Sequence, residues 1–263
     1  MKKVLMVAFV SGLSAQVEAD SSGVNFYAGV SAVGSWTSSD FKMDYEVNKS
    51  GTFANAVPHA YHKDNSIGRV GAGFAVGVKK KFENGFFVGG EFDYTLSRAK
   101  HHLGFTYEED YESPTSGAQP GDTVSYINVK HGDELALAFK FGKDCKSCDF
   151  YGIVGVTTKN VDIEYAFDED GIWGTPDDDE FDVSTKERAW GAVFGLGGSK
   201  KINDRISLSL EYRYKLYGSA KDDVDCKAKS CTAFNGTDHD TSDRHFKVKS
   251  DKHEVSLGIT VNI

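Results

Sequence analysis

The sequence predicts an all-β fold, an eight-stranded antiparallel up-and-down transmembrane β-barrel with four long extracellular loops. Three observations carry this. Eight segments alternate apolar and polar residues with a period of two, so each has one apolar face. The gaps between them run long, short, long, short, long, short, long. Barrels of the bacterial outer membrane have short periplasmic turns, longer outer loops and an even strand number. Aromatic residues recur near both ends of the segments, with Phe26, Phe82, Phe86, Phe141 and Phe150 at the short-turn end and Trp36, Tyr94, Trp190 and Tyr214 at the other. Two aromatic belts are what two membrane interfaces select.

The chain opens on Met1-Lys2-Lys3, continues with the apolar run Val4 to Val10 and reaches Val17-Glu18-Ala19 before Asp20. A basic start, a short apolar stretch and small residues at −3 and −1 read as a secretory signal peptide, residues 1–19, cleaved after Ala19. Ser11, Ser14 and Gln16 interrupt the run too early for a membrane-spanning helix, which needs about 20 apolar residues. The barrel domain is then 20–263. Loss of Lys2, Lys3 and Glu18 takes a net +1 from the formal charge of −9, leaving about −10, which gives nucleic-acid binding no support. A mean hydropathy of −0.40 does not contradict a membrane fold, because barrel strands hide their apolar residues in alternation.

The first strand, Val24 to Trp36, puts Phe26, Ala28, Val30, Ala32 and Trp36 on the apolar face. The second, Val70 to Phe82, sets Val70, Ala72, Phe74, Val76 and Val78 against an inner face with Lys79 and Lys81. Glu83-Asn84-Gly85 then makes a hairpin turn, because Asn-Gly accepts the left-handed conformations a tight turn requires. The third strand sends Phe86, Val88, Phe92, Tyr94 and Leu96 outward over Glu91 and Asp93. The fourth is read from Leu135, Leu137, Phe139 and Phe141 outward with Glu134 and Lys140 inward, the register of residues 124–133 being left open. In the fifth, Phe150, Val154 and Val156 face out, which points Lys159 into the lumen. The sixth carries Trp190, Ala192, Phe194 and Leu196 outward, and Asn203-Asp204 turns the chain into the seventh. There Ile206, Leu208, Leu210, Tyr212, Tyr214 and Leu216 alternate with Glu211, Arg213 and Lys215. The eighth ends the chain with Val255, Leu257, Ile259, Val261 and Ile263 outward and Glu254 inward. A soluble lipocalin-type barrel also has eight antiparallel strands, but its apolar face is the inner one, and the regular gaps and double aromatic belt favour the membrane.

The runs RISLSLEYRYKLYG and KHEVSLGITVNI resemble the closing strands of the OmpA-like, opacity-porin and surface-antigen group of eight-stranded outer membrane barrels. The resemblance covers the chain from about residue 22 to its end. Members of that group commonly finish on an aromatic residue that assists recognition by the assembly machinery, whereas here Ile263 stands last. The resemblance implies a bacterial outer membrane protein, a monomer among outer membrane lipid, with a structural or adhesive role played by loops that meet a host or surface ligand. A narrow passive channel is the second reading and a lipid-modifying barrel enzyme the third.

Lys79, Lys81, Glu91, Asp93, Glu134, Lys140, Glu211, Arg213, Lys215 and Glu254 are expected to line the lumen. Eight strands enclose a space that side chains fill, so these charges should pair into a plug. Cys145 with Cys148 and Cys226 with Cys231 are expected to form two local disulfides, at opposite barrel ends, in an oxidising compartment. The acidic third loop, with Asp168, Asp170, Asp177, Asp178, Asp179 and Glu180, is a weak calcium candidate, since the spacing misses the EF-hand pattern. No cofactor is expected and no residue is assigned a catalytic role. A hydrolase needs a serine, a histidine and a carboxylate in reach, and His131 and His253 are expected to face outward on non-adjacent strands without a serine companion.

Overall fold

The computed structural model describes residues 23–46, 65–106, 123–145, 147–167, 183–225 and 243–263. Among them are ten β-strands: β1 Val24–Glu46, β2 Asn65–Lys81, β3 Phe86–Leu96, β4 Ala99–Thr106, β5 Thr123–Cys145, β6 Cys148–Phe167, β7 Val183–Lys201, β8 Ile206–Tyr217, β9 Ala220–Asp225 and β10 Asp243–Asn262. They make eight staves. β4 carries on from β3 after Ser97-Arg98 along the same partner, β5, and β9 carries on from β8 after Gly218-Ser219 along β10. Neighbours run β1-β2-β3-β5-β6-β7-β8-β10, all antiparallel, and β10 returns to pair with β1 from Tyr27↔Asn262 to Glu46↔Asp243. Up to the aromatic row the barrel is closed, which removes there the free edges that invite aggregation.

The turns follow their sequence. Gly85 has φ +80°, and its N–H donates to the Phe82 carbonyl at 3.0 Å. At the Asn203 turn the side-chain carbonyl accepts from the amides of Arg205 and Ile206 at 2.9 and 2.8 Å, a local mimic of a backbone turn.

Polarity is inverted relative to a soluble protein. Leu196 is 70% exposed and Leu137 59%, whereas Lys215 and Lys252 are 1% exposed. Outward-facing residues form the apolar band read from the sequence, and the register completes its upper limit. Tyr94, Leu135, Thr158 and Trp190 are successive cross-strand partners on one side, as are Trp36, His253 and Tyr214 on the other. A strand needs about 9–11 residues to cross a bilayer, and β1 and β5 have 23 each. The staves therefore rise well past the aromatic row, so the strands are longer than the apolar alternation alone marks out.

Past that row the wall divides. β2 pairs with β3 only as far as Ala72↔Leu96, and β7 with β8 only as far as Gly191↔Tyr217. Beyond these points the described strands form two four-stranded sheets, β4-β5-β6-β7 and β2-β1-β10-β9. Their inner faces carry Val129, Val161 and Ile163 from the first sheet and Val248 from the second, all at most 2% exposed. Buried valines and isoleucine thus join Ser39, His101 and His131 on the inner face while Lys100, Lys130 and Lys186 stand outside, and the charged outer face marks where the hydrocarbon ends.

Candidate functional site

The lumen is filled by side chains at three levels. At the turn end Lys79 pairs with Asp149, which also accepts from Ser199 Oγ at 3.2 Å, while Lys201 Nζ meets Asp144 at 2.7 Å and Lys81 pairs with the same carboxylate. At mid-height Arg213 donates to Glu91 at 2.8 Å and to Glu211 at 2.6 and 2.9 Å, and its other terminal nitrogen lies 2.9 Å from Asp93. Lys140 Nζ joins the same two glutamates at 2.6 and 2.7 Å. Tyr27 donates to Glu91 at 2.9 Å and Tyr151 to Glu211 at 2.7 Å. Toward the loop end Lys215 bridges Glu134 and Glu254 at 2.8 and 2.9 Å, and Lys252 bridges the same pair at 2.9 and 3.2 Å.

Two glycines permit the mid-level cluster. Tyr27 lies over its cross-strand partner Gly77, where a Cβ would come within 2.4 Å of the ring, and Tyr151 lies over Gly197, where the distance would be 2.5 Å. A side chain at either position would lift the tyrosine off the wall and away from its glutamate.

All ten luminal residues named from the alternation are thus placed in one of the three levels. Lys252, Asp144, Asp149 and Lys201 belong to them too. Lys252 was legible two residues upstream of Glu254, whereas Asp144, Asp149 and Lys201 flank turns, where alternation carries little weight. Lys159 points inward, 1% exposed, with its Nζ 3.9 Å above the centre of the Tyr217 ring. Beside the mid-level cluster a void of about 40 Å3 remains, lined by Gly29, Ser31, Gly73, Ser209, Ser256 and Thr260 among others. That is room for one or two waters at ~30 Å3 each.

His131 corrects the sequence reading. It faces inward, 2% exposed, and its Nε2 lies 3.0 Å from Ser39 Oγ on β1, so it does have a serine companion. The cause is a bulge, since β5 places two residues, Gly132 and Asp133, between His131 and Glu134 where β6 places one, Asn160, between Val161 and Lys159. One extra residue turns everything upstream to the other face. The His101 ring stands edge-on to His131 at 5.1 Å. His131 lies above the aromatic row, and burial, with Lys159 and His101 adding to it, pushes its imidazole well below the ordinary histidine range. The pair lacks what a nucleophile needs. Among the described residues His131 Nδ1 has no hydrogen-bond partner to orient the ring, and Ser39 is 1% exposed. What the contact does is link the two upper sheets. His253 does face outward, as read, packed against Tyr214 at 4.7 Å and hydrogen-bonded to Tyr212 at 2.7 Å.

Cys145 and Cys148 are free thiols, which corrects the disulfide expected there. They are direct cross-strand partners, and such partners hold their Cβ atoms about 4.5–5.5 Å apart, wider than the ~3.8 Å a disulfide favours. Cys226, Cys231, the acidic run 168–180 and the signal segment 1–19 lie outside the described residues.

None of the curated proteins matches the chain in sequence. Solved structures with a similar arrangement include the attachment invasion locus protein Ail of Yersinia pestis (12% identity, 86% of this chain and 98% of that one, TM-score 0.31), OprG of Pseudomonas aeruginosa (11%, 90% and 95%, 0.48) and the outer membrane protease OmpT of Escherichia coli (10%, 91% and 97%, 0.46). The model of the outer membrane protein β-barrel domain family matches residues 5–258. With the closed, inside-out barrel described above, that match places the chain in the outer membrane protein β-barrel domain family, a protein of the bacterial outer membrane.

Proposed function

We propose that the barrel is a non-conducting anchor whose work, structural or adhesive, is done by the four extracellular loops on a host or environmental surface. The observation that carries this is the luminal network. A hydrated ion crossing the barrel meets the Arg213, Lys140, Glu91 and Glu211 cluster, in which every charge is already held at 2.6–2.9 Å by an opposite one. Opening that path means separating buried ion pairs, each break costing about 3–5 kcal/mol. With the lumen closed, the staves serve to hold the loops away from the membrane, and loops on a rigid scaffold are where recognition residues concentrate.

The void of about 40 Å3 beside the cluster favours a narrow passive channel as second reading. Planar-bilayer recordings of the purified protein separate the two, the anchor giving no steady single-channel steps. For adhesion, binding of protein-bearing cells to host cells is compared with that of a variant lacking residues 168–180. The anchor reading expects binding to drop in the variant, and unchanged binding after deletion of each loop in turn refutes it.

A further inference from the structure

Just above the aromatic row, a groove of about 750 Å3 opens from the outer face of the sheet β4-β5-β6-β7 and reaches in at the β5 bulge. Its floor is the row Tyr94, Leu135 and Thr158, the top of the lipid-facing band. Its sides are basic. Lys100, Lys130, Asp162 and Lys186 are successive cross-strand partners, with Arg188 one step below, opposite Asn160. Arg98, Arg69 and, from the inner face at the β5 bulge, His131 and Lys159 also line it, against which Asp133 and Asp162 are the carboxylates. Arg98 is paired with Asp133 and Lys130 with Glu164, while Lys186 and Arg188 are exposed and, among the described residues, face no carboxylate within salt-bridge distance.

This pattern is anomalous in a chain of net charge −9. Lys186 and Arg188 are the cations this leaves exposed, and hydrocarbon immediately below weakens the screening that water gives them. That cost falls if an anion sits in the groove. The height fixes its source, because the phosphates of a lipid leaflet lie just outside the hydrocarbon, level with residues one or two positions above an aromatic belt. Arginine forks and lysine ammonium groups are the usual phosphate binders.

We propose that the groove binds the phosphate-bearing headgroup of an anionic lipid of the outer leaflet, held by Lys186, Arg188 and Lys130. Its acyl chains run down over Leu135, Leu137 and Val156 between Tyr94 and Trp190.

The test is native mass spectrometry of the folded full chain in detergent, with phosphatidylglycerol or phosphatidylcholine added. The wild type is expected to keep phosphatidylglycerol adducts at activation energies that strip phosphatidylcholine. Lys186→Gln/Arg188→Gln is expected to weaken that retention about ten-fold, the scale of losing two charge-assisted contacts. Lys249→Gln, an exposed cation on the opposite sheet, leaves it unchanged. Heat-modifiable gel migration reports whether the variants fold. Should the double variant fail to fold, ionic strength serves instead, since headgroup capture falls as salt rises and acyl packing alone does not. Equal retention of the two lipids, equal retention by the folded double variant, or displacement of the lipid by inorganic phosphate at matched concentration overturns the proposal.

Discussion

Arg213→Met is the sharpest perturbation the lumen offers. Arg213 is the only guanidinium in the mid-level cluster, and its nitrogens reach three carboxylates, Glu91 at 2.8 Å, Glu211 at 2.6 Å and Asp93 at 2.9 Å. Lys140 supplies the other positive charge, so the cluster holds three acids against two bases. Methionine keeps much of the apolar stem but leaves three buried acids facing one ammonium. Removing one partner of a buried ion pair costs about 3–5 kcal/mol, and Arg213 is 5% exposed. With a urea slope near ~2 kcal/mol/M, the unfolding midpoint is expected to fall by about 2 M, read by tryptophan fluorescence in lipid vesicles. Glu211→Gln in the same chain restores the original imbalance of one charge, so the double variant is expected to cost less than the sum of the two singles by about 1–3 kcal/mol. A loss under ~1 kcal/mol for Arg213→Met, or simple additivity in the cycle, refutes the view that these groups are one interdependent plug.

Gly77→Val and Gly197→Val each push a luminal tyrosine off its glutamate, and each is expected to cost about 1–3 kcal/mol, the range for overpacking a tight site. The same substitution at Gly90, where a Cβ meets nothing within 4 Å, should cost clearly less in the same titration. Below pH ~6.5 the unfolded chain takes up a proton at His131 that the folded chain, with the imidazole buried against His101 and Lys159 and only partly offset by Glu134, refuses. Stability therefore falls as pH drops from ~6.5 to 5, by up to ~1.4 kcal/mol per unit from this group, and is flat above about 7.5. His131→Gln is expected to flatten that slope, and equal slopes in parallel urea titrations refute it. In a Cys226→Ser/Cys231→Ser background, unreduced folded protein is expected to take up two maleimides per chain by mass, at Cys145 and Cys148.

The membrane-crossing part of the barrel was legible because one physical rule governs all of it. Hydrocarbon outside and a crowded polar lumen inside force strict alternation, so β8 could be read side chain by side chain from Ile206 to Tyr217, and its burial follows that alternation. Above the aromatic row the rule changes. Water lies outside, the inner face mixes valine and isoleucine with serine and histidine, and neither face repeats the pattern below, so the upper reaches of β1, β5 and β6 look in sequence like loop. The breaks at Ser97-Arg98 and Gly218-Ser219, which part β4 from β3 and β9 from β8, fall in this region.

His131 shows why the rim resisted reading in particular. Counting by twos from Leu135, which faces lipid, puts His131 outside, and no residue type in His131-Gly132-Asp133 forbids that count. Only the paired strand reveals the bulge, because two residues of β5, Gly132 and Asp133, must match one of β6, Asn160. The extra residue turns His131 inward onto Ser39, brings Val129 into the apolar core, and leaves Lys130 outside, opposite Lys100 and beside Asp162. One backbone irregularity thus makes both the contact that ties the two upper sheets and the basic row beside the lipid headgroups. A deletion of Gly132 is therefore expected to disturb the rim on both faces at once while leaving the ion-paired lumen below in register.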